Sequence, residues 1–271
     1  MKYPFQTTTD AEEDLSKLMS IILDRQPMSY IRFSDGEMAI LNGEPFSIGS
    51  GYTKWRGKSY ANIYPGCDAK SFDPAVDTDV YSDLLEAAKN RDCLLIKGIP
   101  TSHNRVPHDT LQMMRWNGSI ENITFSDIFI NSNYRKFRSI YSQDLLNAAD
   151  CIIANHRATL RVKKRIIPIR DNFFLDYIRQ RDEVIEQLIS LPRGSLVLSS
   201  ASSLSNVIGS RILYFRRDLT FVDIGTSLND FFGLPFFTRP YQFLEAKFFS
   251  NPLVYLKARK YQCSPEYKIK W

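Results

Sequence analysis

The sequence predicts an α/β protein with a mostly parallel sheet and helices on both faces. Short apolar strands alternate with segments of helical periodicity along most of the chain, which is typical of a parallel sheet covered on both sides. With 271 residues and a hydrophobic content of 44%, the chain is long and apolar enough for one large domain. We therefore expect a single domain over residues 1–271, in which 236–271 form an aromatic and basic C-terminal extension.

The predicted elements follow one another along the chain. The first helix covers 11–24, with Asp10 and Glu13 as a capping pair at its start, and a strand over 29–34 comes next. Residues 43–80 are rich in Gly, Pro, Ser and Asp and are expected to form a long irregular excursion, a place where binding loops often lie. The later helices are expected at 82–90, 134–148, 172–190 and 203–215, and the later strands at 93–98, 151–154, 165–169, 195–200 and 219–224.

Composition narrows the class of protein. The first ten residues lack the apolar core of a signal peptide, and no window is apolar for long enough to form a transmembrane helix. The four cysteines form no C-x-x-C pair, and Cys93 and Cys151 begin apolar runs and are expected in the core. We therefore expect a cytoplasmic protein, whose basic and aromatic C-terminal segment would suit peripheral contact with the inner face of a membrane.

The most informative stretch is Tyr30-Ile31-Arg32-Phe33-Ser34-Asp35-Gly36-Glu37. An apolar run ends there in two carboxylates, Asp35 and Glu37, which can point to the same side of an extended or turn backbone. Two hard oxygen ligands suit Mn²⁺ or Mg²⁺, and Gly36 allows a ligand to approach the backbone closely. The structural alternative is a short helix over 36–41 that Asp35 caps, with Glu37 in its first turn.

A second strand ends in an acidic, glycine-containing turn, Asp223-Ile224-Gly225-Thr226-Ser227-Leu228-Asn229-Asp230. The carboxyl ends of parallel strands share one edge of a sheet, so Asp223 or Asp230 is expected to face the same cleft as Asp35. Helix capping by Thr226 or Ser227 explains the sequence equally well.

Weaker candidates lie in three other loops. His103 and His156 follow predicted strands and are candidates for substrate contact or for a general base. Residues 199–205 open a helix after a strand, so they could hold a phosphate at the helix N-terminus or simply cap the helix. The common nucleotide-binding patterns G-x-G-x-x-G and G-x-x-x-x-G-K-[ST] are absent from the sequence.

Two of these stretches resemble a known family. Residues 31–37 are similar to the Arg-Phe-Gly-Asp-Gly-Glu signature of the GT-D-type glycosyltransferases, once catalogued as a domain of unknown function. Residues 222–225 are similar to the Asp-Ile-Gly stretch of that family, and the resemblance would cover 12–235. The sequence departs from the family at Ser34, where glycine is common, at 155–160, where a glycine-rich stretch is expected, and at Thr226, where histidine is often found.

The resemblance implies a Rossmann-like, GT-D-like fold and transfer of a sugar from a nucleoside-diphosphate sugar, expected to be a UDP-sugar. The acceptor would be a glycan, a glycolipid or a glycoprotein. Asp35 and Glu37 would bind the metal, which is expected to be Mn²⁺ or else Mg²⁺. The residues expected to bind substrate are Arg32, Gly36, Lys97, Asn155, Arg157 and Asn229, and the candidates for a catalytic base are Asp223, Asp230 and His103.

Two alternatives belong to other classes of protein. A metal-dependent phosphoesterase or nuclease also uses paired carboxylates, but it usually needs more acidic or histidine ligands than this sequence offers in one place. A non-catalytic nucleic-acid-binding module would use the basic run over 161–170 together with aromatic residues. Neither explains why a strand ends in Asp-Gly-Glu, so we expect an enzyme without a nucleic-acid partner.

Overall fold

A seven-stranded parallel sheet forms the centre of the protein. The computed structural model describes residues 5–8, 10–61, 64–100, 106–159, 164–236 and 238–245. Every pair of neighbouring strands in this sheet is parallel, which confirms the predicted fold class. Across the sheet the strands are β7 (Ile123–Phe125), β6 (Leu95–Ile99), β1 (Met28–Arg32), β11 (Thr220–Asp223), β10 (Leu196–Ser199), β8 (Cys151–Asn155) and β9 (Arg165–Ile169).

Helices cover both faces of this sheet. The eight α-helices of the described residues are α1 (Ala11–Leu23), α2 (Asp35–Leu41), α3 (Thr78–Lys89), α4 (Val106–Asn117), α5 (Tyr134–Lys136), α6 (Ser142–Ala148), α7 (Tyr177–Ile189) and α8 (Ser203–Phe215). A π-helical turn, Phe137–Tyr141, joins α5 to α6. Successive side chains of a strand point to opposite faces, so Tyr30 packs into the core beneath α1 and α6, whereas Ile31 packs into the core beneath α3, α7 and α8.

Helix α8 lies very close to the two central strands because it has a glycine where it crosses them. A Cβ atom on Gly209 would lie 2.5 Å from Cγ2 of Ile31 and 2.7 Å from Cε1 of Phe221. Such distances are shorter than real carbon contacts, so a larger residue would push the helix away from the sheet. The glycine thereby fixes where the first turn of α8 stands relative to the ends of β1 and β11.

The region predicted as an irregular excursion contains a second sheet. Its four antiparallel strands, in the order β4-β3-β2-β5, are β2 (Phe46–Gly49), β3 (Tyr52–Trp55), β4 (Lys58–Ala61) and β5 (Lys70–Phe72). Arg56 and Gly57 both have positive φ, as the tight type I′ hairpin between β3 and β4 requires. The prediction was wrong here because these strands are short and largely polar, and β4 is exposed along its whole length.

The remaining predictions of helices, strands, caps and buried cysteines have mixed outcomes. The helix α4 and the strand β7 were not predicted, whereas α8 begins and ends at the residues expected. Asp10 is confirmed as the N-cap of α1, since its side chain accepts hydrogen bonds from the amides of Glu12 and Glu13. Cys93 is exposed rather than in the core because β6 begins only at Leu95, while Cys151 is buried as expected.

The expected cytoplasmic location and the expected contact with a membrane both stay predictions. The structure describes the C-terminal extension only at 236 and 238–245, so the membrane contact expected of 236–271 falls largely outside the described residues. Within the described part of the chain, no helix is both long enough and apolar enough to cross a membrane.

Lys97 is a fully buried lysine in the middle of the sheet. Its Nζ donates hydrogen bonds to the carbonyl oxygen of Ala88, at 2.8 Å, and to Oδ1 of Asn117, at 3.0 Å. Burial, followed by the charge of Arg91, lowers the pKa of Lys97 to about 7. Its partners belong to the C-terminal turns of α3 and α4, so its contacts are structural.

Replacing Lys97 by methionine is expected to remove a pH dependence of stability. The pKa is about 7 in the folded chain and about 10.4 in the unfolded chain, so the unfolded state binds more protons between these values. The free energy of unfolding of the native chain should therefore rise with pH over this range, by several kcal/mol at most. Urea unfolding at a series of pH values would measure the rise, which should be missing in Lys97→Met.

The matched control is Lys89→Met, which changes an exposed lysine in the last turn of α3. This variant should keep the pH dependence of the native chain. If Lys97→Met and Lys89→Met gave the same slope of stability against pH, the neutral buried lysine would be ruled out.

Candidate active site

A cleft opens at the carboxyl ends of the two central strands. In the main sheet, β6 and β7 lie on one side of β1, whereas β8 to β11 lie on its other side. Such a change of direction leaves a crevice between neighbouring strands, and α/β proteins bind their ligands there. The cleft has a volume of about 550 Å³ and is bordered by the turn after β1, the small antiparallel sheet, the turns after β10 and β11, and residues near 240.

Asp35 and Glu37 both line this cleft, but they do so from a helix. Ser34 is the N-cap residue of α2: its amide and its hydroxyl donate to Oε2 of Glu37, at 3.1 and 2.7 Å. The helical alternative is therefore confirmed, with Ser34 rather than Asp35 as the cap. The extended or turn backbone expected for this pair is replaced by the first turn of a helix, where Asp35 is exposed and Glu37 is only 7% exposed, although both line the cleft.

Arg32 and Asp223 form a buried ion pair between the ends of β1 and β11. Nε of Arg32 lies 3.4 Å from Oδ2 of Asp223, and another guanidinium nitrogen donates to the carbonyl oxygen of Ser126 at 3.2 Å. Burial raises the pKa of Asp223, while the charge of Arg32 acts in the opposite direction. Burial acts to lower the pKa of Arg32, but the charges of Asp223, Tyr30 and Glu37 together outweigh burial and raise this pKa, so the guanidinium stays charged.

Gly225 makes room for this ion pair. Its amide donates to Oδ1 of Asp223 at 2.9 Å, and its φ of 51° is in the region that side chains disfavour. A Cβ atom at this position would overlap the guanidinium of Arg32. The Asp-Ile-Gly sequence is thus explained locally: the aspartate holds the arginine and the glycine leaves space for it.

Two basic side chains of the cleft were not singled out from the sequence. Nζ of Lys70, on β5, donates to the hydroxyl of Ser202, which is the N-cap residue of α8. Arg239 donates to Oδ2 of Asp68 at 3.0 Å, and its guanidinium carbon lies 3.9 Å from the centre of the Tyr64 ring. Neither lies near an acidic motif, and only the pairing of the small sheet and the return of the chain after β11 bring them here.

Aromatic rings form much of the remaining wall. Trp55, Tyr60 and Tyr64 line the cleft from the small sheet and the chain that follows it. Tyr241 lines it from the other side, where its hydroxyl is hydrogen-bonded to that of Thr226. The cleft therefore offers flat apolar faces beside its charged groups, which is the combination that ligands with a ring and a charged part require.

The other predicted site residues divide into two groups. Gly36, Asn155 and Asn229 line the cleft; Asn155 donates to Oδ1 of Asp171 at 2.8 Å, and Asn229 is only 3% exposed. Lys97, Arg157, His156 and Asp230 are not among the lining residues.

The residues that the structure does not bring to the cleft have other contacts. Arg157 forms an exposed ion pair with Asp171. Both carboxylate oxygens of Asp230 accept hydrogen bonds from the guanidinium of Arg138, at 3.0 and 2.7 Å. His103 lies outside the described residues, so its candidacy as a base stays a prediction.

Comparison with known proteins gives three similar solved structures. No family model and no curated protein match the sequence. A glycosyltransferase (domain of unknown function 1792) from Streptococcus sanguinis is similar over 79% of this chain and 80% of its own, with 15% identity and a TM-score of 0.49. A domain of unknown function 1792 described as having a distinct glycosyltransferase fold covers 78% of this chain and 76% of its own, with 14% identity and a TM-score of 0.48. A selenomethionine-substituted structure of domain of unknown function 1792 is similar over 79% of this chain and 77% of its own, with 14% identity and a TM-score of 0.47.

Replacing Gly225 by alanine is expected to lower stability by about 1–3 kcal/mol. The new Cβ would be strained at positive φ and would displace Arg32 from Asp223. Gly36→Ala is the matched control, because nothing lies within 4 Å of its Cβ position and it stands in the first turn of α2. That variant should be neutral or more stable by up to about 1 kcal/mol. Urea unfolding measures both, and a similar loss in the two variants would contradict this account of Gly225.

Proposed function

We propose that this protein is a metal-dependent glycosyltransferase that uses a UDP-sugar as donor and a glycan, glycolipid or glycoprotein as acceptor. The observation that carries the proposal is the meeting of Asp35, Glu37 and the Arg32–Asp223 pair in one cleft at the switch point of the sheet. The sequence resemblance of residues 31–37 and 222–225 to GT-D-type glycosyltransferases falls on these same residues. The volume of about 550 Å³ suits a small-molecule ligand.

The residues present fit a single divalent metal ion that takes part of its ligands from the substrate. In the part of the chain that the structure describes, no group of three or more His, Cys, Asp or Glu side chains could hold a metal. Asp35 offers an exposed carboxylate, and Oε1 of Glu37 is the oxygen that the Ser34 bonds leave out. Mg²⁺ and Mn²⁺ accept such sites, since Mg²⁺ typically keeps several waters and binds through one or two carboxylates plus phosphate oxygens.

Asp35 and Glu37 would hold the ion, which would neutralise charge on the departing nucleoside diphosphate. A two-metal phosphoesterase is disfavoured by the same donor set, because it needs more ligands than the described part of this cleft supplies.

The rings of the wall would receive the flat parts of the two substrates. Trp55, Tyr60 and Tyr64 present aromatic faces on the side of the small sheet, where a nucleobase or a sugar ring can stack. Asn155, the last residue of β8, and Asn229, in the turn after β11, supply amide groups to the same cleft. Polar groups of this kind fix the orientation of a ligand within a largely apolar site.

We assign the deprotonation of the acceptor hydroxyl to Asp223 in preference to Asp230. Asp223 lines the cleft, and burial raises its pKa, which makes its carboxylate a stronger base. Asp230 does not line the cleft.

Asp35→Ala is expected to abolish a Mn²⁺-dependent stabilisation by nucleotide. A ligand that binds only the folded state raises the melting temperature by mass action, so UDP with Mn²⁺ should raise it in the native chain. The part of the shift that Mn²⁺ adds should be missing in EDTA and should be lost in Asp35→Ala. The control is Asp79→Ala, because Asp79 is also an exposed aspartate in the first turn of a helix, α3, but lies outside the cleft. If Mn²⁺ increased the UDP shift in Asp35→Ala as much as in the native chain, the assignment of Asp35 would be contradicted.

Asp223→Asn is expected to lower the rate of UDP release from a UDP-sugar by about 100-fold or more, the size of a lost general base. The measurement is kcat with a panel of UDP-sugars and saturating acceptor or water. The melting temperature without ligand should fall, because Arg32 loses the charge of its buried partner. The Mn²⁺–UDP shift should persist, because the amide keeps the shape of the side chain and an acceptor oxygen for Arg32, and the metal residues are untouched. A variant that binds UDP and retains the native kcat would show that Asp223 is not the base.

A further inference from the structure

Lys70 differs from the other basic residues of the cleft in its partners. Arg32 is paired with Asp223, Arg239 with Asp68, and Arg170 with Asp176 at 3.1 Å. Among the described residues, Lys70 has no carboxylate within ion-pair distance, and its ammonium donates only to the hydroxyl of Ser202. An ammonium has three protons, so two of them have no acceptor in the described part of the protein.

Lys70 is half-buried in the wall of the cleft, so water solvates its charge only in part. Desolvation lowers its pKa, and Glu37 and Asp68 act against this only from a distance. Its single partner, Ser202, is the N-cap residue of the thirteen-residue helix α8, whose first turn is the positive end of the helix dipole. A desolvated cation beside a positive helix end is unfavourable unless an anion joins them. The geometry therefore calls for a negatively charged group that contacts Lys70 beside the first turn of α8.

Arg239 gives this region a second cation of fixed orientation. Asp68 binds one of its nitrogens and the Tyr64 ring lies against its face, so the guanidinium cannot turn freely. Lys70 and Arg239 act on each other electrostatically, and both are close enough to Asp35 for its charge to affect their pKa values. A ligand with two linked phosphates could accept from both cations while its other oxygens face Asp35.

We infer that Lys70, assisted by Arg239, binds the diphosphate of the donor directly, so that the cleft holds a diphosphate even without a metal ion. This inference rests on the proposed function, since it concerns how the same nucleoside diphosphate is held. The ammonium of Lys70 donates to phosphate oxygens with its two remaining protons, and charge-assisted bonds of this type are strong. The ligand class is a nucleoside diphosphate or inorganic pyrophosphate.

The test is calorimetric titration of the native chain with UDP and with inorganic pyrophosphate, in EDTA and in Mn²⁺. In EDTA, Lys70→Met should weaken binding of either ligand about tenfold or more, because it removes a charge-assisted contact. Lys70→Arg keeps the charge and should recover part of the affinity. Lys54→Met is the matched control: Lys54 is an exposed lysine on β3 of the same small sheet and does not line the cleft.

The outcomes separate this inference from the proposed function. Binding in EDTA that Lys70→Met weakens and Lys54→Met does not would support the inference. Equal affinity of the native chain and Lys70→Met would overturn it, as would binding of UDP to the native chain in Mn²⁺ only, and both results would leave the glycosyltransferase proposal standing. Absence of UDP binding by the native chain in both EDTA and Mn²⁺ would overturn the inference and the proposed function together.

Discussion

The ion pair between Arg32 and Asp223 is the interaction on which the cleft depends. It joins the last residues of two neighbouring strands, β1 and β11, which come from opposite ends of the sequence. A charge of this kind is tolerated out of water only when its partner is near, so each residue fixes the other. The start of α2, with Asp35 and Glu37, and the turn after β11, with Gly225, are thereby held in one arrangement.

Around that pair, the site is assembled from segments far apart in sequence. The small antiparallel sheet brings Lys70 and three aromatic rings from one side, and the chain after β11 returns with Arg239 and Tyr241 from the other. The side-chain amide of Gln242 donates to the carbonyl oxygen of Thr226 at 3.0 Å and fastens this returning chain to the end of β11. A cleft that combines carboxylates, cations and aromatic rings suits the nucleotide-sugar donor that we propose.

The sequence was sufficient to predict the parallel sheet, because its strands are apolar on both faces and leave a strong signal. It was also sufficient to place Asp35 and Asp223 at the same edge, since that follows from parallel strands alone. The orientation of Glu37 could not be predicted, because an Asp-Gly-Glu turn and the first turn of a helix share the same residues. Lys70 could not be found either: it stands in a three-residue strand without apolar alternation, and only tertiary packing brings it to the cleft.

The pairing of β1 with β11 has a consequence for folding of the chain during its synthesis. Met28 is aligned with Thr220, so the strand at the centre of the sheet receives one of its two neighbours only when most of the chain has left the ribosome. Until then β1 presents an open, apolar strand edge, which is the kind of surface that attracts other chains. Domains with such distant pairings fold slowly, so this edge stays exposed to association with other chains until β11 has been synthesised and has paired with it.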